Sequence, residues 1–186
     1  MAGLRVIAGE FRSRRLKTPR GDDVRPTPDR LREALFNVLA PRIGDAVFVD
    51  AYAGSGAVGI EALSRGARRA IFVERSRAAA EVIRENLDVL GIERRAEVMV
   101  KKAGPVLAGL AADIAFVDPP YALEREYSLA LESLGDAHIP LVIVQHASRF
   151  ELSAGYGQLQ QIRTLRQGDN TLSFYFSGPD KDAAPG

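Results

Sequence analysis

Three short stretches hold residues suited to chemistry. The first is Asp50-Ala51-Tyr52-Ala53-Gly54-Ser55-Gly56-Ala57-Val58-Gly59. Glycines at this spacing let the backbone turn tightly and approach a ligand, and a helix after them offers free N–H groups. The G-x-G alone fits a nicotinamide or flavin dinucleotide or S-adenosylmethionine (SAM). Asp50 shifts the choice, because a carboxylate ahead of the glycines repels a pyrophosphate and suits a cation such as a methionine amino group. The second stretch ends in Glu74, 20 residues after Gly54. An acid in this place accepts hydrogen bonds from ribose hydroxyls. The third is Asp118-Pro119-Pro120-Tyr121. Two prolines hold the backbone extended and leave their carbonyls out of the sheet ladder. The Asp118 carboxylate and the Pro119 carbonyl can both accept from one planar NH2 group, and Tyr121 can stack on an aromatic ring.

These residues need strands ending just before them. VFVDAY (47–52), AIFVE (70–74), AEVMV (96–100), DIAFVD (113–118) and IPLVIVQH (139–146) are apolar runs of strand length. Helical segments separate them: one to about Arg65, one capped by Ser76 and stopped by Gly91, a short one near 104–110 and one over about 124–134. Such alternation predicts a parallel sheet covered on both faces. Ligands of such sheets bind beyond the carboxyl ends of the strands, where the strand order reverses. The glycine loop and Asp118 are therefore expected at one rim. Residues 158–165 and 171–177 read as a closing hairpin around Gly168-Asp169-Asn170.

Ahead of this body, Leu4–Ala8 and Arg14–Lys17 read as a short hairpin, and residues 18–27 as a turn-rich linker. A lone hairpin is marginal in water, so it must lean on the body or on a ligand. Thr27-Pro28 opens a helix whose Leu31, Ala34, Leu35, Val38 and Leu39 share a face. Thr27 can cap that helix or close over a cofactor. Residues 1–32 carry nine basic and four acidic side chains, while the other 154 carry sixteen and twenty. A basic arm on a mildly acidic body points to an anionic partner. The chain of 186 residues has no Cys, which excludes a disulfide scaffold, a Cys–zinc site and a thiol nucleophile. It is also compatible with a reducing cytoplasm, the expected location. No apolar run reaches the ~18 residues of a membrane span, so no membrane contact is expected. His138 and His146, without Cys neighbours, make no metal site, and no metal is expected.

Residues 1–177 resemble the RsmD-type 16S rRNA (guanine-N2)-methyltransferases. The matching strings run in order: RVIAGEFRSRRLKTP, RPTPDRLREALFNVL at 25–39, DAYAGSGAVGIEALSRGA at 50–67, FVE at 72–74 and FVDPPY at 116–121. The resemblance implies an α/β class I SAM-dependent methyltransferase fold, Rossmann-like, with a seven-stranded sheet in the order 3-2-1-4-5-7-6 and an N-terminal β-hairpin arm. The domain reading is 1–25 hairpin and linker, 26–177 methyltransferase domain and 178–186 disordered tail. The implied activity is methyl transfer from SAM to the exocyclic N2 of a guanine in 16S rRNA. The expected partner is that rRNA within a small-subunit assembly particle, met by a monomer.

Asp118, Pro119, Pro120 and Tyr121 form the expected catalytic set. The cofactor set is Thr27, Asp50, Tyr52, Ala53, Gly54, Ser55, Gly56, Glu74, Arg75, Lys102 and Ala103. Arg5, Arg12, Arg14, Arg15, Lys17 and Arg25 are expected on RNA phosphates, giving affinity and salt dependence but little sequence reading. Two departures from the family pattern stand out. The stretch after strand three, Val100-Lys101-Lys102-Ala103-Gly104, lacks the acid that commonly meets the adenine amino group. The loop Gly168-Asp169-Asn170-Thr171 is one residue longer than the usual Gly-Asp-Thr. Asp-Pro-Pro-Tyr is shared with enzymes that methylate adenine N6, cytosine N4 or a protein glutamine, so another amino acceptor is the nearest alternative. A non-catalytic RNA-binding assembly factor is favoured only by the missing acid.

Overall fold

The computed structural model describes residues 3–19, 27–120 and 123–178. The chain forms two compact units, Met1–Lys102 and Ala103–Gly186. The calls on Arg25, Tyr121 and residues 179–186 lie outside the described residues, as does most of the 18–27 linker.

In the first unit, helix α1 (Asp29–Leu39) is followed by β1 (Val47–Asp50), α2 (Ala57–Ser64), β2 (Arg69–Glu74), α3 (Arg77–Leu90) and β3 (Ala96–Val100). The strands run parallel in the order β3-β2-β1. Their apolar runs need burial on both faces, and β1 and β2 are buried along nearly their whole length. Asp50 and Glu74 therefore emerge at the carboxyl ends of buried strands. As predicted, the Ser76 side chain caps α3 by accepting the Ala79 N–H, and Gly91 ends it in the left-handed region. The cap of α1 differs from expectation. Its N-cap is Pro28, so Thr27 lies one residue outside the helix.

The N-terminal hairpin packs on this unit. Val6 and Leu16 join a core with Ile60 and Leu63 of α2, Phe72 of β2, and Ile83 and Leu87 of α3. The two predicted strands shrink to one antiparallel bridge, Arg5 with Arg15, flanked by Val6 N–H to Arg14 C=O (3.0 Å) and Leu16 N–H to Leu4 C=O (2.9 Å). The reason is a competing acceptor: the amides of Ile7 and Ala8 donate to the Glu61 carboxylate at 2.8 and 3.0 Å.

The second unit runs α4 (Ala103–Leu107), β4 (Ile114–Val117), α5 (Glu124–Gly135), β5 (Leu141–Ala147), β6 (Gly155–Tyr156), β7 (Leu159–Gln167) and β8 (Asn170–Ser177). β4 and β5 are parallel, whereas β5–β8, β8–β7 and β7–β6 are antiparallel, giving β4-β5-β8-β7-β6. The late hairpin thus lies in the expected order, with β8 inside and β7 outside. The strand count is corrected from seven to eight among the described residues. The addition, β6, is two residues long, too short to leave a period-2 signature. It fits because Gly135 ends α5: a Cβ there would stand 2.5 Å from the Tyr156 carbonyl oxygen. The turn also differs from expectation. Asn170 begins β8 and pairs with Gln167, leaving Gly168-Asp169 as a two-residue turn. Gly168 has φ +58°, which suits the tight, right-twisted connections that two-residue hairpins require.

Candidate active site

The loop after β1 is held from behind by two carboxylates. Gly56 is the N-cap of α2 and has no side chain to offer the helix. Asp50 fills that role from nine residues back, accepting the Gly59 N–H at 3.0 Å. Asp50 is only 2% exposed. Its carboxylate is therefore available to a ligand chiefly as a charge and through the loop it shapes. Gly56 sits at φ +77°, and a Cβ there would lie 3.1 Å from Ile83 Cγ1. At Gly59 a Cβ would lie 2.3 Å from Phe72 Cε1. These two glycines bring α2 close to β2 and α3, so the contact geometry of Gly56 is with the protein core. Gly54 is also left-handed, at φ +54°.

Glu74 closes over the same loop. One carboxylate oxygen accepts the Gly54 N–H at 2.8 Å and the other the Ser76 N–H at 2.7 Å. Each oxygen keeps a second acceptor site, which is what a ribose hydroxyl needs. Burial pushes the Asp50 carboxyl up to about 7, and the charge of Glu74 adds to the rise while the Gly59 hydrogen bond opposes it. No salt bridge among the described residues reaches either carboxylate. A positively charged group placed here would favour both charged forms, and a pyrophosphate would be repelled. The pair of accepting carboxylates therefore fits SAM, whose methionine end carries an ammonium and whose ribose carries hydroxyl donors.

The remaining cofactor candidates have mixed settings. Thr27, Ala53 and Ser55 are buried, Tyr52 is half-buried, and Arg75 and Lys102 are exposed. The Ala53 N–H donates to the Val73 carbonyl at 3.0 Å, tying the loop to β2. Ala103 is the buried first residue of α4 and belongs to the second unit, while Lys102 ends the first.

In the second unit the acceptor turn follows β4. Asp118 is half-buried, Pro119 buried and Pro120 exposed. The Tyr127 hydroxyl donates to the Pro119 carbonyl at 3.4 Å, and the Leu123 N–H to the Pro120 carbonyl at 2.9 Å. Tyr127, 1% exposed on α5, was not read from the sequence as a site residue. Its ring packs against Phe150, centroids 5.1 Å apart. His146 is 5% exposed, with Nε2 2.8 Å from Ser173 Oγ and Nδ1 3.0 Å from the Ala147 carbonyl. A carbonyl only accepts, so Nδ1 carries the proton and Ser173 donates to Nε2. Burial lowers the His146 pKa, and both ring nitrogens are engaged within the fold.

The cations of the hairpin divide into two groups. Arg5 lies 3.9 Å from Asp29, Lys17 pairs with Glu85 at 2.8 Å, and Arg14 donates to the Val89 carbonyl at 3.3 Å. Arg12 and Arg15 are exposed and have no ion pair among the described residues. Sequence reasoning also passed over Glu61, which is fully buried in α2. Besides the Ile7 and Ala8 amides it accepts from Arg65 Nε at 2.8 Å. A lone acid in the otherwise small and apolar Ala57–Ser64 helix was the available signal.

A family model described as "Conserved hypothetical protein 95" matches residues 4–176. The chain belongs to this family. Similar proteins include "Ribosomal RNA small subunit methyltransferase D" of Escherichia coli K12, 46% identical over 120 residues. That alignment covers 63% of this chain and 60% of the relative's length. "Putative rRNA methyltransferase YlbH" of Bacillus subtilis is 34% identical over 183 residues, covering 92% of this chain and 98% of its own. Among solved structures, "Putative methyltransferase yhhF" from Escherichia coli superposes with a TM-score of 0.80 at 36% identity, covering 93% of this chain and 97% of that one. The RsmD-type resemblance and the class I methyltransferase fold read from the sequence are thereby established for the family.

Proposed function

We propose that this protein transfers a methyl group from SAM to the exocyclic N2 amine of a guanine in 16S rRNA. Two strand-end features support the reading: the cation-seeking Asp50–Glu74 loop and the Asp118-Pro119 turn. The second carries most weight, because a carboxylate and a proline carbonyl side by side form a double acceptor suited to a planar amine. The relatives named as rRNA methyltransferases, the Escherichia coli one as a small-subunit enzyme, supply the substrate class.

Bound SAM would supply an electrophilic methyl group on a sulfonium, its methyl C–S bond giving way to the new C–N bond and S-adenosylhomocysteine being the neutral leaving group. The chain's residues would do the rest. Guanine N2 is a weak nucleophile, since its lone pair is conjugated into the ring. Asp118 and the Pro119 carbonyl accept its two N–H bonds, which orients the nitrogen and raises its electron density. Asp118 then takes the proton released once the new C–N bond has formed. Tyr121 stacks on the base. A base within a duplex cannot reach such a turn, so the target is unpaired or flipped. Asp50 and Glu74 hold the methionine and ribose ends, with Gly54 the close backbone approach and Lys102-Ala103 beside the adenine. Arg12 and Arg15, with Arg5, Arg14, Lys17 and Arg25, meet RNA phosphates.

We further infer that the substrate is the rRNA in a small-subunit assembly particle and that the enzyme acts as a monomer in the cytoplasm. No helix among the described residues is long and apolar enough to cross a membrane. The test is transfer of labelled methyl from SAM to undermodified small subunits, protein-free rRNA and duplex DNA in parallel. Label entering the subunits alone is the expected result. Label entering duplex DNA, or no label in any acceptor, would overturn the reading.

A further inference from the structure

Helix α3 buries a face of Ala79, Ala80, Ile83 and Leu87, and one amide, Asn86, sits among them at 3% exposure. A leucine would suit that face better, so packing does not explain the residue. Its hydrogen bonds do. Asn86 Oδ1 accepts the Lys17 N–H at 2.8 Å, and Nδ2 donates to the Lys17 carbonyl at 3.0 Å. The side chain thus meets both backbone groups of one residue, as a neighbouring strand would. Nδ2 also donates to the Ser55 carbonyl at 3.4 Å. Ser55 lies between Gly54 and Gly56, inside the loop that Glu74 holds from its other side through the Gly54 N–H. The hairpin's other anchors leave the loop alone: Glu61 to Ile7 and Ala8 and Ser64 to Phe11 come from α2, Arg32 to the Arg5 carbonyl (2.7 Å) from α1, and the partners of Arg14 and Lys17, Val89 and Glu85, lie on α3.

We infer that Asn86 is a positioning residue that couples the cofactor loop to the basic hairpin. The inference rests on the cofactor reading of that loop given above. A ligand that fixes the Gly54–Gly56 backbone fixes the Ser55 carbonyl, and with it the Asn86 amide and the Lys17 backbone. Lys17 stands among the cations assigned to RNA phosphate. Coupling between two binding sites is reciprocal, so RNA bound along the hairpin tightens the hold on the cofactor by the same factor. The enzyme then retains cofactor best when its polynucleotide is in place.

The test is amide hydrogen exchange on the full chain with and without S-adenosylhomocysteine (SAH). SAH is expected to slow exchange in residues 50–59, which it would touch, and also about fivefold or more at residues 4–17, which it would not. Protection of 50–59 with no change at 4–17 overturns the coupling and leaves the cofactor reading intact. Protection of neither segment overturns the cofactor reading, and the coupling with it. In Asn86→Asp the carboxylate still accepts the Lys17 N–H but cannot donate to Lys17 or Ser55. This variant is expected to keep the protection of 50–59 and lose that of 4–17. Retention of both also overturns the proposal. The wild-type measurement decides the matter even where the variant folds poorly.

Discussion

The loop after β1 and the turn after β4 follow strands of the same kind, yet they are supported in opposite ways. The first is held by carboxylates that accept backbone amides: Asp50 from Gly59, Glu74 from Gly54 and Ser76. The second carries its shape in two prolines, whose carbonyls accept the Tyr127 hydroxyl and the Leu123 N–H, and its carboxylate is half-buried. The difference matches the work proposed for each. A loop that binds a cofactor gains by being rigid before the ligand arrives. A turn that holds a reacting amine gains by aiming acceptors where charge develops in the transition state.

That contrast breaks first at Asp118. Replacing it with Ala is expected to cut methyl transfer by about 10²–10⁴-fold while leaving SAH affinity unchanged. Calorimetry beside single-turnover rates checks both halves, and a loss shared equally between binding and rate would erase the distinction. Glu74→Ala attacks the other side. Losing charge-assisted bonds to the loop and the ribose is expected to weaken SAH binding about 10–100-fold, with less effect on the rate at saturating cofactor. An unchanged dissociation constant would remove Glu74 from the site.

Asp50 sharpens the comparison through pH. Its folded-state carboxyl, at about 7, lies above the ordinary 3.8. Between those values the native chain holds a proton that the unfolded chain has lost. The associated stability is full below the lower value and disappears as pH rises through the upper one. SAH affinity runs the other way, because protonation removes the charge that attracts the ammonium, so binding weakens as pH falls below about 7. Asp50→Asn keeps an acceptor for the Gly59 amide and is expected to flatten both trends, read from melting curves and titrations across that range. The smallest effect belongs to the hairpin. Arg12→Ala with Arg15→Ala is expected to reduce the log–log salt slope of RNA binding by about one to two, with SAH binding to the free protein unaltered. These substitutions are cleaner than deleting the hairpin, which would strip two amide donors from the buried Glu61.

Much of this was readable from the sequence because the signals are local. Apolar runs of strand length gave β1 to β5, and Ser76 and Gly91 bracketed α3. Asp50, Glu74 and Asp118 stand, as read, at the ends of such runs. What stayed hidden depends on partners distant in the chain. Glu61 reads as a surface acid until the Ile7 and Ala8 amides arrive from 54 and 53 residues away. Asn86 reads as one more member of an apolar face until Lys17 meets it across 69 residues. Tyr127 reads as one more apolar-face residue until α5 brings its hydroxyl to the Pro119 carbonyl. Pro28 displaced Thr27 from the cap of α1, a difference of one residue that composition alone does not resolve.

The central claim concerns which atom receives the methyl group, and mass spectrometry of the digested product tests it most directly. Undermodified small subunits would be incubated with SAM and either the wild-type chain or Asp118→Ala, and the rRNA broken to nucleosides. The account predicts N2-methylguanosine with the wild type and none with the variant. N6-methyladenosine or N4-methylcytidine instead, or N2-methylguanosine at equal yield from both proteins, would contradict it.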